Sequence, residues 1–415
     1  MHGRGLHEIG PGADDGTDHE AQIIAGFCPW LCRLCARVRD RGLAAAKLGC
    51  IFPKMLSPMI TVAVPAYNRP DELGSLLKTI LDQDFVDFDV LVVEDCSPRQ
   101  AEIKQVVEQA ARQRGHVRVR FVANPRNLGF DGNLRQILEL SEGEFTLFMG
   151  DDDLLRPSAL ARVGSIIAKT ENLGVLLRSY ESIDYATGQR IELFRYFPED
   201  RFFKAGPPTM RTFFRRCVSI AGFTIHTASA RRFATDRFDG TLLYQLYLAT
   251  RTVQERNGYF TAEILTSMRK DNRQRHFFGS AAAEKGMFAP GQLAPEHSVQ
   301  FMRGMVEMAR AIEADTKAGV LNGILDDLSN YSYAYLRLHA RDRRVFGHYV
   351  RDLRSLGLAC TPLFWGYVVA LFAVPTPLLD LGIRVLKTVL RSTPKFGRLY
   401  AGEDVSSPAG RNSTV

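Results

Sequence analysis

The feature that most constrains this chain is a repeated alternation between residues 60 and 149. Four short apolar runs are separated by amphipathic stretches, and each run ends in a polar, turn-forming segment. Ile60–Pro65 (ITVAVP) is a run of the kind found in strands buried on both faces. Pro70 then opens a helix with Asp71 and Glu72 in its first turn, where acidic side chains suit the dipole. Leu73, Leu76, Leu77, Ile80 and Leu81 follow at helical spacing. Phe88–Val93 is a second strand, and Ile103, Val106, Val107 and Ala110 mark a second helix. Val117–Ala123 is a third strand, Leu134, Ile137 and Leu138 mark a third helix, and Phe145–Met149 is a fourth strand. Strands alternating with helices over short connections specify an α/β class, a mostly parallel sheet with helices on both faces.

In such sheets ligands bind beyond the carboxyl ends of the strands. Attention therefore falls on residues 66–69, 94–98, 124–130 and 150–154, which are polar or turn-forming while the preceding strands are apolar. Gly150-Asp151-Asp152-Asp153 closes the fourth strand, and three adjacent carboxylates repel one another unless a cation or hydrogen bonds compensate. Mg²⁺ is commonly held by one or two carboxylates together with substrate phosphates. Helix capping accounts for Asp153 or Ser158, with Pro157 in the first turn, but not for all three acids. Glu94-Asp95-Cys96-Ser97-Pro98 offers a carboxylate to a ribose or base, or an Asx turn. Asn124-Pro125-Arg126-Asn127 offers a cation to a phosphate or base edge.

The ordered segments TVAVPAYNRPDEL (61–73), VLVVEDCSP (90–98), NPRNLGFDGN (124–133) and EFTLFMGDDDLLRPSAL (144–160) resemble glycosyltransferase family 2. Within it, the Gly-Asp-Asp-Asp form is similar to the abequosyltransferase-like branch that builds O-antigen and related glycans. The resemblance is close over residues 58–160 and looser over 161–280. It implies a GT-A fold, a nucleotide-diphosphate sugar donor and inversion at the anomeric carbon. It further implies transfer to a glycan or lipid-linked saccharide, in bacterial-type cell-surface polysaccharide synthesis. By position, Pro65, Tyr67, Asn68, Glu94, Asp95, Arg126 and Asp151 would bind the nucleotide sugar. Asp152, with Asp151 or Asp153, would hold Mg²⁺ or Mn²⁺. The family's acidic motif usually begins with Asp, where this chain has Gly150. The family usually draws its catalytic base from an acidic pair a few residues after a Gly-Phe-Asp-Glu-like turn; the nearest match is Arg237-Phe238-Asp239-Gly240, no acidic pair follows it, and Asp239 is the candidate base with Asp236 as fallback. The basic run from Met268 to His276 stands where the family often closes over the diphosphate.

The chain divides into an extension (1–56), a nucleotide-sugar half (57–160), an acceptor half (161–290), a helical region (291–360), a membrane-associated segment (361–400) and a tail (401–415). Residues 1–20 are acidic and Gly-rich, without the apolar stretch of a secretory leader; they and the tail read as disordered. Seven scattered cysteines read as a reducing compartment, and Cys28, Cys32 and Cys35 as small apolar packing on a helix rather than a metal cluster. Residues 362–379 carry no charge, yet fall short of the roughly 20 apolar residues of a spanning helix. Arg384, Lys387 and Arg391 then share a helical face, Lys395 and Arg398 follow, and no acid occurs from 381 to 402. That pattern suits an element lying on an anionic membrane surface, and with a net charge of +7 it places the protein in the cytoplasm at the inner face. No nucleic acid is expected as a partner. A nucleotidyltransferase would share the metal site, but Tyr67-Asn68-Arg69-Pro70 lacks the Gly-rich basic loop it needs. A degenerate, donor-binding subunit is the non-enzymatic alternative.

Overall fold

A computed structural model describes residues 57–113, 117–270, 279–285 and 295–390. The first strand, β1 (Ile60–Ala66), leads into helix α1 (Pro70–Leu81); β2 (Phe88–Glu94), α2 (Gln100–Gln113), β3 (Val119–Ala123), α3 (Gly129–Leu140) and β4 (Phe145–Phe148) follow. Next come β5 (Asp153–Leu155), α4 (Ala159–Lys169), β6 (Leu173–Asp184), β7 (Arg190–Phe194), β8 (Arg201–Phe203), α5 (Pro207–Phe214) and β9 (Phe223–His226). The short α6 (Thr227–Arg232), α7 (Tyr244–Glu255) and the long β10 (Asn257–Lys270) complete the sheet region. Helices α8 (Pro295–Thr316), α9 (Leu321–Asn330), α10 (Tyr333–His339), α11 (Arg343–Ser355), α12 (Pro362–Ala373) and α13 (Thr376–Leu390) follow.

The ten strands form one sheet in the order β3-β2-β1-β4-β9-β6-β10-β5, with β7 on β6 and β8 on β10. Strands β1 to β4 are mutually parallel, and the register sets Ala66 beside Glu94 and Ala63 beside Phe148, so their carboxyl ends lie level. Strands β9 and β5 run against their neighbours, which makes the sheet mixed on that side.

Alternation along the strands feeds two separate cores. Ile60, Val62, Val64, Val90 and Val92 pack on α1, α2 and α4, while Ala63, Leu91, Val93 and Phe148 pack on α3, α5, α7 and the C-terminal helices. Both faces are thus covered, and the expected α/β fold with a helical C-terminal region is what the chain adopts. The third strand begins at Val119 rather than Val117; it is the sheet's edge and only half-buried, so its apolar signal is weak. Among the described residues no helix is long and apolar enough to cross a membrane. Residues 1–56 and 401–415, the three N-terminal cysteines and the basic residues from Arg391 onward lie outside the described residues.

Candidate active site

The level carboxyl ends of β1, β2 and β4 open on a cleft of about 270 Å³. Its wall is drawn from four of the segments picked out by sequence, including Pro65, Tyr67, Asp95, Asn127 and Asp151–Asp153. Each segment is locked to another by a carboxylate. Asp95 accepts the side-chain amide of Asn124 (2.8 Å) and the amide N–H groups of Leu128 (2.8 Å) and Gly129 (2.9 Å). It thereby ties the end of β2 to the start of α3, and burial raises its pKa. Asp151 accepts the N–H of Tyr67 (3.0 Å) and the Arg69 guanidinium (2.9 Å), tying the end of β4 to that of β1.

The acidic loop sets three adjacent carboxylates in a largely buried place, with Arg69, Arg178 and Arg269 as the opposing charges. Arg69 Nη1 bridges Asp151 (2.9 Å) and Asp152 (3.2 Å). Burial nevertheless lifts Asp151 to a pKa of about 6, opposed by Arg69 and reinforced by Asp152. Asp153 is raised well above the usual carboxylate range, by burial first and then by Asp152 and Asp151. Among the described residues no hydrogen-bond donor reaches the Asp153 carboxylate. Arg178 and Arg269 pull the other way through space, and Arg269 fixes the loop's shape by donating to the Asp152 carbonyl (2.7 Å) and the Glu72 carbonyl (3.0 Å).

A divalent cation tests well against this arrangement, in a form narrower than three converging acids. Among the described residues no three His, Cys, Asp or Glu side chains form a ready-made metal cluster, and Asp151 faces Tyr67 and Arg69. Asp152 and Asp153 instead turn an oxygen each toward Gly150. A Cβ built there would lie 2.7 Å from Asp153 Oδ2 and 3.2 Å from Asp152 Oδ1. Two carboxylate oxygens gathered where a side chain is missing fit Mg²⁺ or Mn²⁺ completed by phosphate oxygens.

Other expected residues stand elsewhere. Glu94 is buried and spends its carboxylate on the Cys96 N–H (3.0 Å), the Ser97 N–H (2.8 Å) and Gln100 (2.8 Å), shaping the turn rather than lining the cleft. Asn68 holds a left-handed φ of 62° in the turn after β1 and does not line the cleft either. Arg126 is exposed on its loop, away from the cleft wall. Asp239 is clamped by Arg135 through both carboxylate oxygens, one of them at 2.8 Å, and Asp236 is exposed on the same turn; neither lines the cleft. Residues 271–276 of the basic run lie outside the described residues.

Three contributors were not anticipated. Arg69 had a signal, being one of only two cations in the four strand-end segments, the other being Arg126. Glu284 and Ser280 line the cleft from far along the chain. Glu284 accepts the N–H groups of Phe130 (2.9 Å) and Gly279 (2.7 Å), and Gly129, at φ 77°, leaves it room: a Cβ there would lie 2.8 Å from Glu284 Oε1. No local pattern announces a contact across 154 positions.

Residues 61–238 match the family model described as Glycosyl transferase family 2. That stretch is similar to family 2 glycosyltransferases. All of the cleft's strand-end segments fall within the matched residues, whereas Ser280 and Glu284 lie beyond them. An uncharacterised glycosyltransferase of Haemophilus influenzae is 30% identical over 118 residues, 28% of this chain and 37% of that protein. The GalNAc(5)-diNAcBac-PP-undecaprenol beta-1,3-glucosyltransferase of Campylobacter jejuni is 34% identical over 105 residues, 25% of this chain and 33% of that protein. The chain thus spans about a third of the length of these relatives. A crystal structure of Staphylococcus aureus TarS residues 1–349 aligns over 75% of this chain and 87% of that one, at 17% identity and a TM-score of 0.49.

Proposed function

We propose that this protein is an inverting glycosyltransferase that moves a sugar from a nucleotide-diphosphate donor to a glycan or lipid-linked acceptor, in cell-surface polysaccharide synthesis. The observation that carries the reading is the cleft itself: a stretch similar to family 2 glycosyltransferases gathers Asp95 and the Asp151–Asp153 loop at the carboxyl ends of adjacent strands. Pro65, Tyr67 and Asp95 receive the nucleoside, with Asp95 accepting a ribose or base hydrogen bond on lone pairs its backbone donors leave open. Asp152 and Asp153 face the diphosphate. A bound Mg²⁺ or Mn²⁺ supplies Lewis acidity and offsets the charge of the leaving nucleoside diphosphate. Rigid anchoring of the acidic loop by Tyr67 and Arg269 keeps its carboxylates preorganised for that charge.

For Asp239 to act as base, its Arg135 pair must open and its turn must move toward the cleft. That same pair favours the second reading, a donor-binding subunit without turnover. A screen of nucleotide sugars with membrane extract as acceptor, reading released nucleoside diphosphate, separates the two. Release with one donor supports transfer; metal-dependent binding without release supports the subunit.

The acceptor side of the reading rests on the C-terminal helices. The Campylobacter relative is named for an undecaprenol-linked acceptor. Here Trp365, Val369 and Phe372 share one exposed face of α12, while Phe364, Val368 and Leu371 are buried on the other. Leu378, Leu381 and Val385 form a second exposed apolar stripe on α13. Two such stripes preceding a basic sequence suit a peripheral site at the inner face of the plasma membrane, where a lipid-linked acceptor would be met.

A further inference from the structure

Arg69 ties Asp152, one of the two carboxylates that a divalent ion would approach, to its neighbour Asp151. One of its nitrogens lies 2.9 Å from Asp151 Oδ1 and 3.2 Å from Asp152 Oδ2. The side chain is three-quarters buried in the cleft wall, just before Pro70 opens α1, and Asp151 and Asp152 hold its guanidinium there. It is therefore a cation already installed on the metal's own ligand. A divalent ion on either Asp152 oxygen would come within about 7 Å of this guanidinium, in a site where water screens poorly. The two positive charges oppose each other unless further negative charge arrives with the ion. A nucleoside diphosphate supplies that charge, and it can also accept hydrogen bonds from Arg69 through the fork geometry that suits phosphate.

We propose that Arg69 is a built-in counter-ion that holds the divalent-ion site shut until a diphosphate arrives, so that metal and donor are taken up together rather than metal first. The inference rests on the donor-site reading above but concerns a different property, the dependence of metal affinity on the nucleotide. In the resting protein Arg69 keeps Asp151 and Asp152 compatible at close range. When the diphosphate enters, its oxygens share Arg69 and complete the ion's coordination, which releases Asp152 to the metal. Asp152 is the exposed member of the pair and Asp151 the buried one, so the geometry lets Arg69 leave Asp152 while staying on Asp151.

The test is calorimetric titration of the full chain with Mn²⁺ alone, and with Mn²⁺ in the presence of UDP or, separately, GDP. In the unmodified protein Mn²⁺ alone is expected to bind about tenfold to a hundredfold more weakly than with the nucleotide it accepts, a coupling that must be reciprocal. Arg69→Gln is expected to bind Mn²⁺ alone at least about tenfold more tightly than wild type, whereas Arg69→Lys, which keeps the charge, stays close to wild type. Far-ultraviolet circular dichroism and melting curves establish that both variants are folded. Equal Mn²⁺ affinity of the unmodified protein with and without nucleotide overturns the proposal, and so does a folded Arg69→Gln that binds Mn²⁺ no more tightly. If Arg69→Gln does not fold, the comparison in the unmodified protein decides alone. If neither nucleotide binds with Mn²⁺ in any variant, the donor-site reading falls instead.

Discussion

Gly150 shows how a single missing side chain shapes this site. Its Cβ position is already claimed by carboxylate oxygens of Asp152 and Asp153, so any side chain there would crowd them. Gly150→Ala is expected to lower stability by about 1 kcal/mol, since crowding a packed site typically costs about 1–3 kcal/mol and these carboxylates can partly rotate away. It should also blunt the Mn²⁺-dependent rise in melting temperature; a variant with the full rise would show that the oxygens at Gly150 do not matter for the ion. Asp152→Ala separates a metal role from a structural one. Removing one acid from three adjacent ones should leave the metal-free melting temperature near its original value while abolishing the part of the nucleotide-induced shift that needs Mn²⁺. A fall in the metal-free value with the shift retained would place Asp152 in the fold instead. At this scale the sequence pointed to Asp95 and Asp151 because each follows an apolar strand, and both stand in the cleft wall. It misled where a side chain's partner is distant: Arg135 takes up Asp239, and nothing near Arg126 turns it inward.

Elements were legible when their burial was apolar. Strands β1, β2 and β4 and helices α1 to α3 stood out because alternation and 3.6-residue spacing place Leu, Ile and Val on the faces they bury. The twelve-residue strand β6 did not, because its second half buries Arg178, Ser179, Glu181 and Ser182, polar residues that read as a loop. Helix α6 offers a pH test. His226 caps it by accepting the Ser229 N–H at 3.2 Å, a bond only the neutral ring can make. Burial, aided by Arg256, lowers the His226 pKa to about 4. With the folded-state value below the ordinary one of about 6.5, its stabilisation is complete above that pH and lost as pH falls toward 4. Relative to wild type, His226→Asn, which keeps a capping acceptor, should therefore lose less stability in melts between those limits; parallel curves would contradict this. The exposed stripes of α12 and α13 carry the membrane prediction. The protein should float with phosphatidylglycerol vesicles more than with phosphatidylcholine vesicles. Trp365→Ala with Phe372→Ala should weaken that binding by about tenfold or more, since an inserted large apolar side chain contributes about 1.5–3 kcal/mol. Unchanged flotation of the double variant, with its melting temperature preserved, would rule the α12 face out of the contact.

At the largest scale, the sheet face bearing α3, α5 and α7 shares one core with the C-terminal helices, and a buried charge cluster links the two. Arg216 is fully buried and pairs with Asp327 of α9 at 2.9 Å, while Arg215 reaches the same carboxylate at 3.0 Å. Although burial alone would raise it, the Asp327 pKa is lowered by these two arginines. Asp327→Ala strands a buried guanidinium and should destabilise the protein by about 3–5 kcal/mol in denaturant melts. A loss below about 1 kcal/mol would mean that the helical region contributes little to holding the domain together.

What unites these scales is a claim about charge: a cluster of acids at the end of β4 is placed so that a divalent ion can meet a diphosphate there. The direct measurement is a crystal structure with Mn²⁺ and the nucleotide sugar selected by the donor screen, using anomalous scattering to locate the ion. The expected result is a manganese peak bound by Asp152 and by oxygens of the diphosphate, with the nucleoside against Tyr67 and Asp95. A donor seated without manganese at Asp152, or an acidic loop still paired only to Arg69 while the nucleotide lies elsewhere, would contradict the account.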